Sequence, residues 1–71
     1  MPILTLLTDF GLRDHYVAAV KARVLKDCPN AVLVDVSHQV DNGNIAQGGF
    51  LLRSVFATFP KGTVHLVAIW A

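Results

Sequence analysis

The sequence predicts an α/β fold, in which three parallel strands form one sheet and two helices connect them in the order β-α-β-α-β. Three short stretches are rich in apolar residues, as strands are, and the first lacks a helical period, which is typical of a strand covered on both faces. They are Ile3–Leu7, Ala31–Val36 and Thr63–Trp70. The segments between them carry apolar residues at helical spacing. Strands that alternate with helices indicate a parallel sheet with right-handed crossovers.

The first helix is predicted over residues 14–28. We expect Asp14 to be either its N-cap or an acidic residue of its first turn, where the helix dipole favours negative charge. Pro29 and Asn30 end the helix. Its buried face is predicted to be one apolar stripe, formed by Val17, Val20, Val24 and Cys28.

The second helix is predicted over residues 44–59. Asn44 and Gln47 have the spacing of a capping box, in which the first side chain bonds the backbone of the second residue and the second side chain reaches back. Gly48 and Gly49 each cost about 1 kcal/mol relative to alanine inside a helix, so we interpret them as a place of close packing on the sheet. The main apolar face is predicted to consist of Ile45, Gly49, Leu52, Phe56 and Phe59.

The composition indicates an incomplete domain. The chain has 71 residues, of which 54% are hydrophobic and 15% charged, and we treat residues 1–71 as a single incomplete α/β domain that pairs with another chain or belongs to a larger fold. A net charge of +1 gives no argument for a nucleic-acid or membrane partner. One cysteine excludes an internal disulfide. The start has neither a signal peptide nor a membrane span, so we expect a cytoplasmic location.

Asp9 directly follows the first predicted strand, at the edge where open parallel sheets bind ligands. Gly11 allows the backbone to turn there without a Cβ penalty. A carboxylate in this position can accept hydrogen bonds from the two vicinal hydroxyls of a ribose. Alternatively, Asp9 caps the turn or the helix that follows. The local sequence leaves both interpretations open.

The second strand brings further polar residues to the same edge. Asp35 interrupts its apolar run and is expected near its carboxyl end, beside the Asp9 turn and close to His38. His38 could be a ligand, a base or a hydrogen-bonded structural residue, and we prefer the last because the sequence identifies no partner for it. His15, His38 and His65 fall on different elements, so the sequence predicts no metal site.

Four motifs point to one family. They are TLLTDFG, RDHYVAAVKA, VDVSHQV and FPKGTVHLV, in this order. In these motifs the chain resembles the N-terminal part of the S-adenosyl-L-methionine (SAM) hydroxide adenosyltransferases, the relatives of fluorinase and chlorinase that cleave SAM to adenosine and methionine. The resemblance covers nearly all of residues 1–69. Protein kinases also carry Asp-Phe-Gly, but their glycine loop and catalytic-loop motif do not occur in this sequence.

The resemblance implies a fold, a substrate and three substrate-binding residues. The chain would be the start of a larger Rossmann-like domain that takes SAM as its substrate and needs no cofactor. Asp9 would hold the two ribose hydroxyls, Asp14 would lie near the methionine amino group, and His38 and the loop after it would line the pocket. Members of the family also have a C-terminal β-barrel-like domain and build their site between the subunits of a trimer, which implies a homo-oligomer.

The chain departs from the family pattern at its end. The family continues after Gly-Thr-Val-His-Leu-Val into a segment resembling Val-Asp-Pro-Gly-Val-Gly, whereas Ile69, Trp70 and Ala71 stand here and Trp70 takes the place of the acidic residue. The family's water-orienting Asp, Arg and His lie at or beyond this point. We therefore expect a truncated member without appreciable turnover on its own, whose catalytic residues the sequence leaves unknown.

Two other hypotheses remain from the sequence. The main alternative is a non-catalytic nucleoside-binding or interaction module of α/β type. A generic flavodoxin-like or receiver-like domain would need more strands than the three predicted. If both helices pack on one face of the sheet, the other face exposes apolar side chains, and the isolated chain is then expected to self-associate.

Overall fold

The computed structural model describes residues 2–70. Strand β1 is Ile3–Thr8, helix α1 is Tyr16–Asp27, strand β2 is Val32–Ser37, helix α2 is Ile45–Val55 and strand β3 is Val64–Ala68. A short 3-10 helix, Phe56–Thr58, continues from α2. The predicted α/β fold with the order β-α-β-α-β is confirmed. Ala71, the last residue compared with the family motif, lies outside the described residues.

The sheet has the order β2-β1-β3, and both pairs of neighbouring strands are parallel. Because β1 lies in the centre, the first crossover leads to one side of it and the second returns to the other side. The loops that follow β1 and β3 therefore start from adjacent strands at the point where the direction of the crossovers reverses. Open α/β sheets bind their ligands at such a switch point.

The helices cover opposite faces of the sheet. Asp35 pairs in register with Leu6, and its side chain binds Lys21 of α1. His65 pairs with Thr5. Its ring packs edge-on against the ring of Phe59, the residue that follows α2 and its 3-10 extension, with ring centroids 5.8 Å apart. Since successive residues of a strand point to opposite faces, α1 and α2 lie on different faces. Our expectation of an exposed apolar sheet face required both helices to pack on the same face, so it does not apply to this fold.

The core is centred on β1. Thr5, Leu6, Leu7 and Thr8 are all at most 1% exposed. The buried hydroxyls are satisfied, because the Thr5 Oγ1 lies 2.6 Å from the Nδ1 of His65 and the Thr8 Oγ1 has a partner described below. The prediction of a first strand covered on both faces is thus confirmed.

Helix α1 begins later than predicted. His15 is its N-cap and makes no side-chain capping bond, and its first turn contains no acidic residue. The prediction that Asp14 caps the helix or belongs to its first turn is therefore wrong, because the loop after β1 extends as far as His15. The predicted apolar stripe is correct: Val17 is buried, and Val20, Val24 and Cys28 are half-buried.

Half of the predicted capping box of α2 is present. The Asn44 Oδ1 accepts a hydrogen bond of 2.9 Å from the Gln47 backbone N–H, as predicted. The Gln47 side chain, however, bonds the backbone N–H of Asp41 at 2.7 Å. The reason is that the Asn44 N–H already donates to the Asp41 carbonyl at 2.9 Å. The reciprocal bond of a capping box has no free donor here.

The buried face of α2 differs from the predicted one. Gly48 is the buried residue of the helix, and a Cβ placed on it would meet the Ile69 side chain at 3.2 Å. Ile45 and Phe56, which we expected on the buried face, are 63% and 52% exposed. Moving the contact from Gly49 to Gly48 turns the face by about 100°. Close packing on the sheet is confirmed for Gly48 but not for Gly49, around which there is open space.

Within residues 2–70, no helix is long and apolar enough to cross a membrane.

Candidate functional site

The candidate site lies at the switch point of the sheet. Asp9 directly follows β1, and Trp70 comes two residues after the end of β3, the strand next to β1. The loop between β2 and α2 approaches from the other neighbour of β1 and contributes Gly43. All three segments leave the carboxyl ends of their strands, so the fold brings them together at one edge.

Backbone N–H groups hold the carboxylate of Asp9. The Gly43 N–H donates to Oδ2 at 2.8 Å, and the Trp70 N–H lies 3.2 Å from both carboxylate oxygens. Gly43 has a φ of +73°, a conformation that side chains disfavour. The hydrogen bond from Gly43 lowers the pKa of Asp9, burial opposes this, and the bond from Trp70 lowers the pKa further, with a net shift below its ordinary value of 3.8. Asp9, only 8% exposed, is thus an ionised acceptor at neutral pH.

An open pocket of about 480 Å³ adjoins this carboxylate. It is lined by Asp9, Phe10, Tyr16, Asn42 and Trp70. The Phe10 and Tyr16 rings meet edge-to-face with centroids 6.3 Å apart, and Trp70 is 81% exposed. Small-molecule sites have volumes of roughly 300–1,000 Å³ and combine apolar walls with a few polar groups. The size and the lining of this pocket match that description.

The structure brings only one of the three predicted site residues into the pocket lining. Asp9 is there, as described. Asp14 lies exposed in the loop between β1 and α1, two residues before Tyr16. His38 is 3% exposed and sits behind the site, with both ring nitrogens hydrogen-bonded. The substrate-binding roles of all three residues remain predictions.

His38 is the centre of a chain of hydrogen bonds. Its Nδ1 lies 2.6 Å from the Oγ1 of Thr8, and its Nε2 lies 2.8 Å from the Oδ1 of Asp35. The Lys21 Nζ donates to the other oxygen of Asp35 at 2.8 Å. Burial raises the pKa of Asp35, but the hydrogen bonds and charges of Lys21 and His38 outweigh it and leave the pKa below 3.8. Because His38 bonds Thr8, the residue before Asp9, and also bonds Asp35, both side chains lie beside the Asp9 turn, as the sequence predicts.

Most of the pocket lining was not predicted from the sequence. Asn42 lies in the loop after His38, which the family resemblance implies as lining, whereas Phe10, Tyr16 and Trp70 were not predicted as lining residues. The signal that could have identified them is their position in or next to the segments that follow adjacent strands. Among the described residues, no group of three His, Cys, Asp or Glu side chains could hold a metal ion.

Comparison with known proteins places the chain in a family. The model of the SAM hydroxide adenosyltransferase N-terminal domain matches residues 4–70. The chain belongs to the SAM hydroxide adenosyltransferase family. It is 37% identical to an (R)-S-adenosyl-L-methionine hydrolase of Methanocaldococcus jannaschii over 97% of its own length. It is 32% identical to a fluorinase of Nocardia brasiliensis over 89% of its length.

Two solved structures share the fold of this chain. A crystal structure of a conserved protein from Thermotoga maritima superimposes with a TM-score of 0.87 at 36% identity, over 90% of this chain and 24% of that protein. A second, from Thermus thermophilus, gives a TM-score of 0.84 at 36% identity, over 94% of this chain and 28% of that protein. The chain spans 27% of the archaeal hydrolase and 21% of the fluorinase. It therefore corresponds to about a quarter of the length of each of these proteins.

Proposed function

We propose that this chain binds the adenosine part of SAM and forms the nucleoside-binding portion of an enzyme that cleaves SAM with water to adenosine and methionine. The observation that carries this proposal is the ionised carboxylate of Asp9, held at the switch point beside an aromatic-lined pocket. Relatives named as SAM hydrolases support the choice of substrate and reaction. No cofactor is part of the proposal.

Asp9 holds the ribose in this proposal. A carboxylate offers about four lone-pair positions, and backbone N–H groups from Gly43 and Trp70 use only part of them. The remaining positions accept the two ribose hydroxyls as donors. The backbone bonds fix the orientation of the carboxylate before the ligand arrives, which reduces the ordering cost of binding.

The aromatic residues of the pocket receive the adenine. Phe10, Tyr16 and Trp70 present rings beside Asp9, and stacking of a base on an aromatic side chain contributes roughly 1–3 kcal/mol per base. The amide of Asn42 can donate and accept hydrogen bonds at the edge of the base. From the family resemblance, Asp14 lies near the methionine amino group, at the far end of the substrate.

The proposed reaction needs position more than acid or base catalysis. The oxygen of water forms a bond to C5′ of the ribose, the C5′–S bond breaks, its electron pair goes to the sulfonium sulfur, and the proton of the water passes to solvent. Because methionine leaves as a neutral thioether, the leaving group needs no proton. The lowered pKa of Asp9 makes it a weak base, so its task is to hold the ribose.

Isothermal titration of the purified chain with adenosine and with SAM, with product analysis of the same mixtures, tests this function. We expect Asp9→Asn to weaken adenosine binding at least tenfold, because it removes the charge and presents an amide N–H to the backbone donors. Asp27→Asn is the matched control, since Asp27 makes only an exposed ion pair with Arg23. Equal affinity of the two variants would remove Asp9 from the site.

Product analysis tests the expectation that this chain has no appreciable turnover on its own. Release of adenosine and methionine from SAM would overturn that expectation and would assign the hydrolysis to this chain. Binding of both ligands without turnover is the result expected of the nucleoside-binding portion of an enzyme, and binding of neither ligand would refute the proposal. A homo-oligomer is also part of the proposal, supported by the exposed side chains of Leu12, Ile45 and Phe50. A cytoplasmic location stays a prediction from the sequence.

A further inference from the structure

The hydrogen-bonded chain behind the pocket joins three elements of the fold. It runs from Thr8 at the end of β1 through His38 to Asp35 on β2, and from there to Lys21 on α1. Thr8 is 1% exposed and His38 3%, and neither side chain lines the pocket. An effect of these two side chains on a ligand in the pocket therefore passes through neighbouring residues.

Both ring nitrogens of His38 have a fixed partner. Asp35 is ionised and can only accept, so the Nε2 of His38 carries a proton that it donates to Asp35. The Thr8 Oγ1 lies 2.6 Å from Nδ1 and also accepts the Phe10 backbone N–H at 3.2 Å. The ring is therefore held between the end of β1 and a residue of β2.

The same histidine joins the two loops that build the site. Its backbone carbonyl accepts the Gly11 N–H at 2.7 Å, while its ring holds Thr8, the residue before Asp9. One loop thus carries Asp9, and the other runs from His38 to Gly43, whose N–H binds the Asp9 carboxylate at 2.8 Å. The distance between donor and carboxylate depends on how these loops are held together.

We propose that His38 is a positioning residue: its imidazole bonds Thr8 with one nitrogen and Asp35 with the other, ties the end of β1 to β2 and so keeps the Asp9 carboxylate on the Gly43 N–H. The effect on ligand affinity rests on the proposed function, whereas the effect on the Asp9–Gly43 hydrogen bond does not. Asp35 and Lys21 complete the anchor by fixing the ring from its other side.

Two substitutions separate the two bonds of the ring. His38→Asn places a polar atom near the position of Nδ1 and can keep the bond to Thr8, whereas His38→Gln reaches the position of Nε2 and can keep only the bond to Asp35. His65→Gln is the matched control. His65 also bonds a buried threonine of β1 at 2.6 Å, but this threonine is Thr5, three residues away from Thr8.

The first readout is the amide proton signal of Gly43 in nuclear magnetic resonance spectra, which reports its bond to the carboxylate. We expect the signal to move towards its Asp9→Asn position in His38→Gln, to move less in His38→Asn, and to stay in place in His65→Gln. Adenosine affinity should fall roughly tenfold in His38→Gln and less in His38→Asn, which corresponds to one lost hydrogen bond. An unchanged Gly43 signal in a folded His38→Gln variant overturns the proposal.

The two proposals can fail separately. If the wild-type chain binds no adenosine, the proposed function fails, while the Gly43 signal still decides whether His38 positions Asp9. If the His38 variants do not fold, Thr8→Val provides the decision, because it removes the hydroxyl partner of Nδ1 and leaves the ring in place. A Gly43 signal that moves towards its Asp9→Asn position supports the proposal, and an unchanged Gly43 signal overturns it.

Discussion

Two adjacent glycines of α2 give a sharp prediction about stability. Within residues 2–70, a Cβ at Gly49 meets no atom within 4 Å, whereas a Cβ at Gly48 meets two atoms of the Ile69 side chain at 3.2 Å. Both positions lie inside the helix. Alanine is favoured over glycine in a helix interior by about 1 kcal/mol. Gly49→Ala is therefore expected to raise the free energy of unfolding by about 1 kcal/mol.

Gly48→Ala is the matched control for this change. It has the same gain in helix propensity, but the Ile69 side chain must move by a few tenths of an ångström to admit the new methyl group. Overpacking of this kind costs roughly 1–3 kcal/mol in a well-packed core. We therefore expect Gly48→Ala to be less stable than Gly49→Ala and no more stable than the wild-type chain.

Urea denaturation followed by far-ultraviolet circular dichroism measures both effects. The Gly49→Ala midpoint should rise with an unchanged slope, since the slope follows the surface exposed on unfolding. Repeating the titration at several protein concentrations separates folding from self-association. If Gly49→Ala does not stabilise the chain, or if Gly48→Ala stabilises it equally, the assignment of the two glycines to open space and to the packed face is wrong.

Three further predictions follow from residues of the loops and caps. The lowered pKa values of Asp9 and Asp35 stabilise the folded chain above about pH 4, and this stabilisation is lost as the pH falls through the folded-state pKa values. Urea midpoints should therefore fall at acidic pH. The fall should be smaller in Asp9→Asn and in Asp35→Asn than in the wild-type chain. Gly11→Ala forces an L side chain to a φ of +71°, so it should lower the free energy of unfolding by about 1–2 kcal/mol and weaken adenosine binding, whereas unchanged stability would contradict a left-handed turn. Asn44→Ala removes the bond to the Gln47 N–H and should cost about 1 kcal/mol; the same denaturation assay checks it, and a loss well below this value would show that the cap contributes little.

The elements could be predicted because their signals are local. The apolar run of β1 indicated a strand, and the Asn44 side chain caps α2 as its spacing predicted. The start of α1 could not be predicted correctly, because Asp14 and His15 are both acceptable at a helix start. Which glycine of α2 faces the sheet depends on Ile69, about twenty residues further along the chain.

The strand order and most of the site lie beyond such local signals. The sequence placed Asp9 at a strand end, but the order β2-β1-β3 depends on the side of β1 to which each crossover leads. The donors to Asp9, Gly43 and Trp70, follow two other strands. Because Trp70 contacts Asp9 through its backbone N–H, its side-chain type carried no information about this role.

The site also couples ligand binding to the folding of the whole chain. Asp9 is hydrogen-bonded to Gly43, 34 positions away, and to Trp70, 61 positions away. Both hydrogen bonds to the carboxylate therefore form only when all three strands have assembled. A ligand held by this carboxylate binds the folded chain and not the unfolded one. At a concentration one hundred times its dissociation constant it would add about 2.7 kcal/mol to the stability of the entire domain. The melting temperature, measured against the concentration of adenosine, would thus report the occupancy of a pocket at one edge of the sheet.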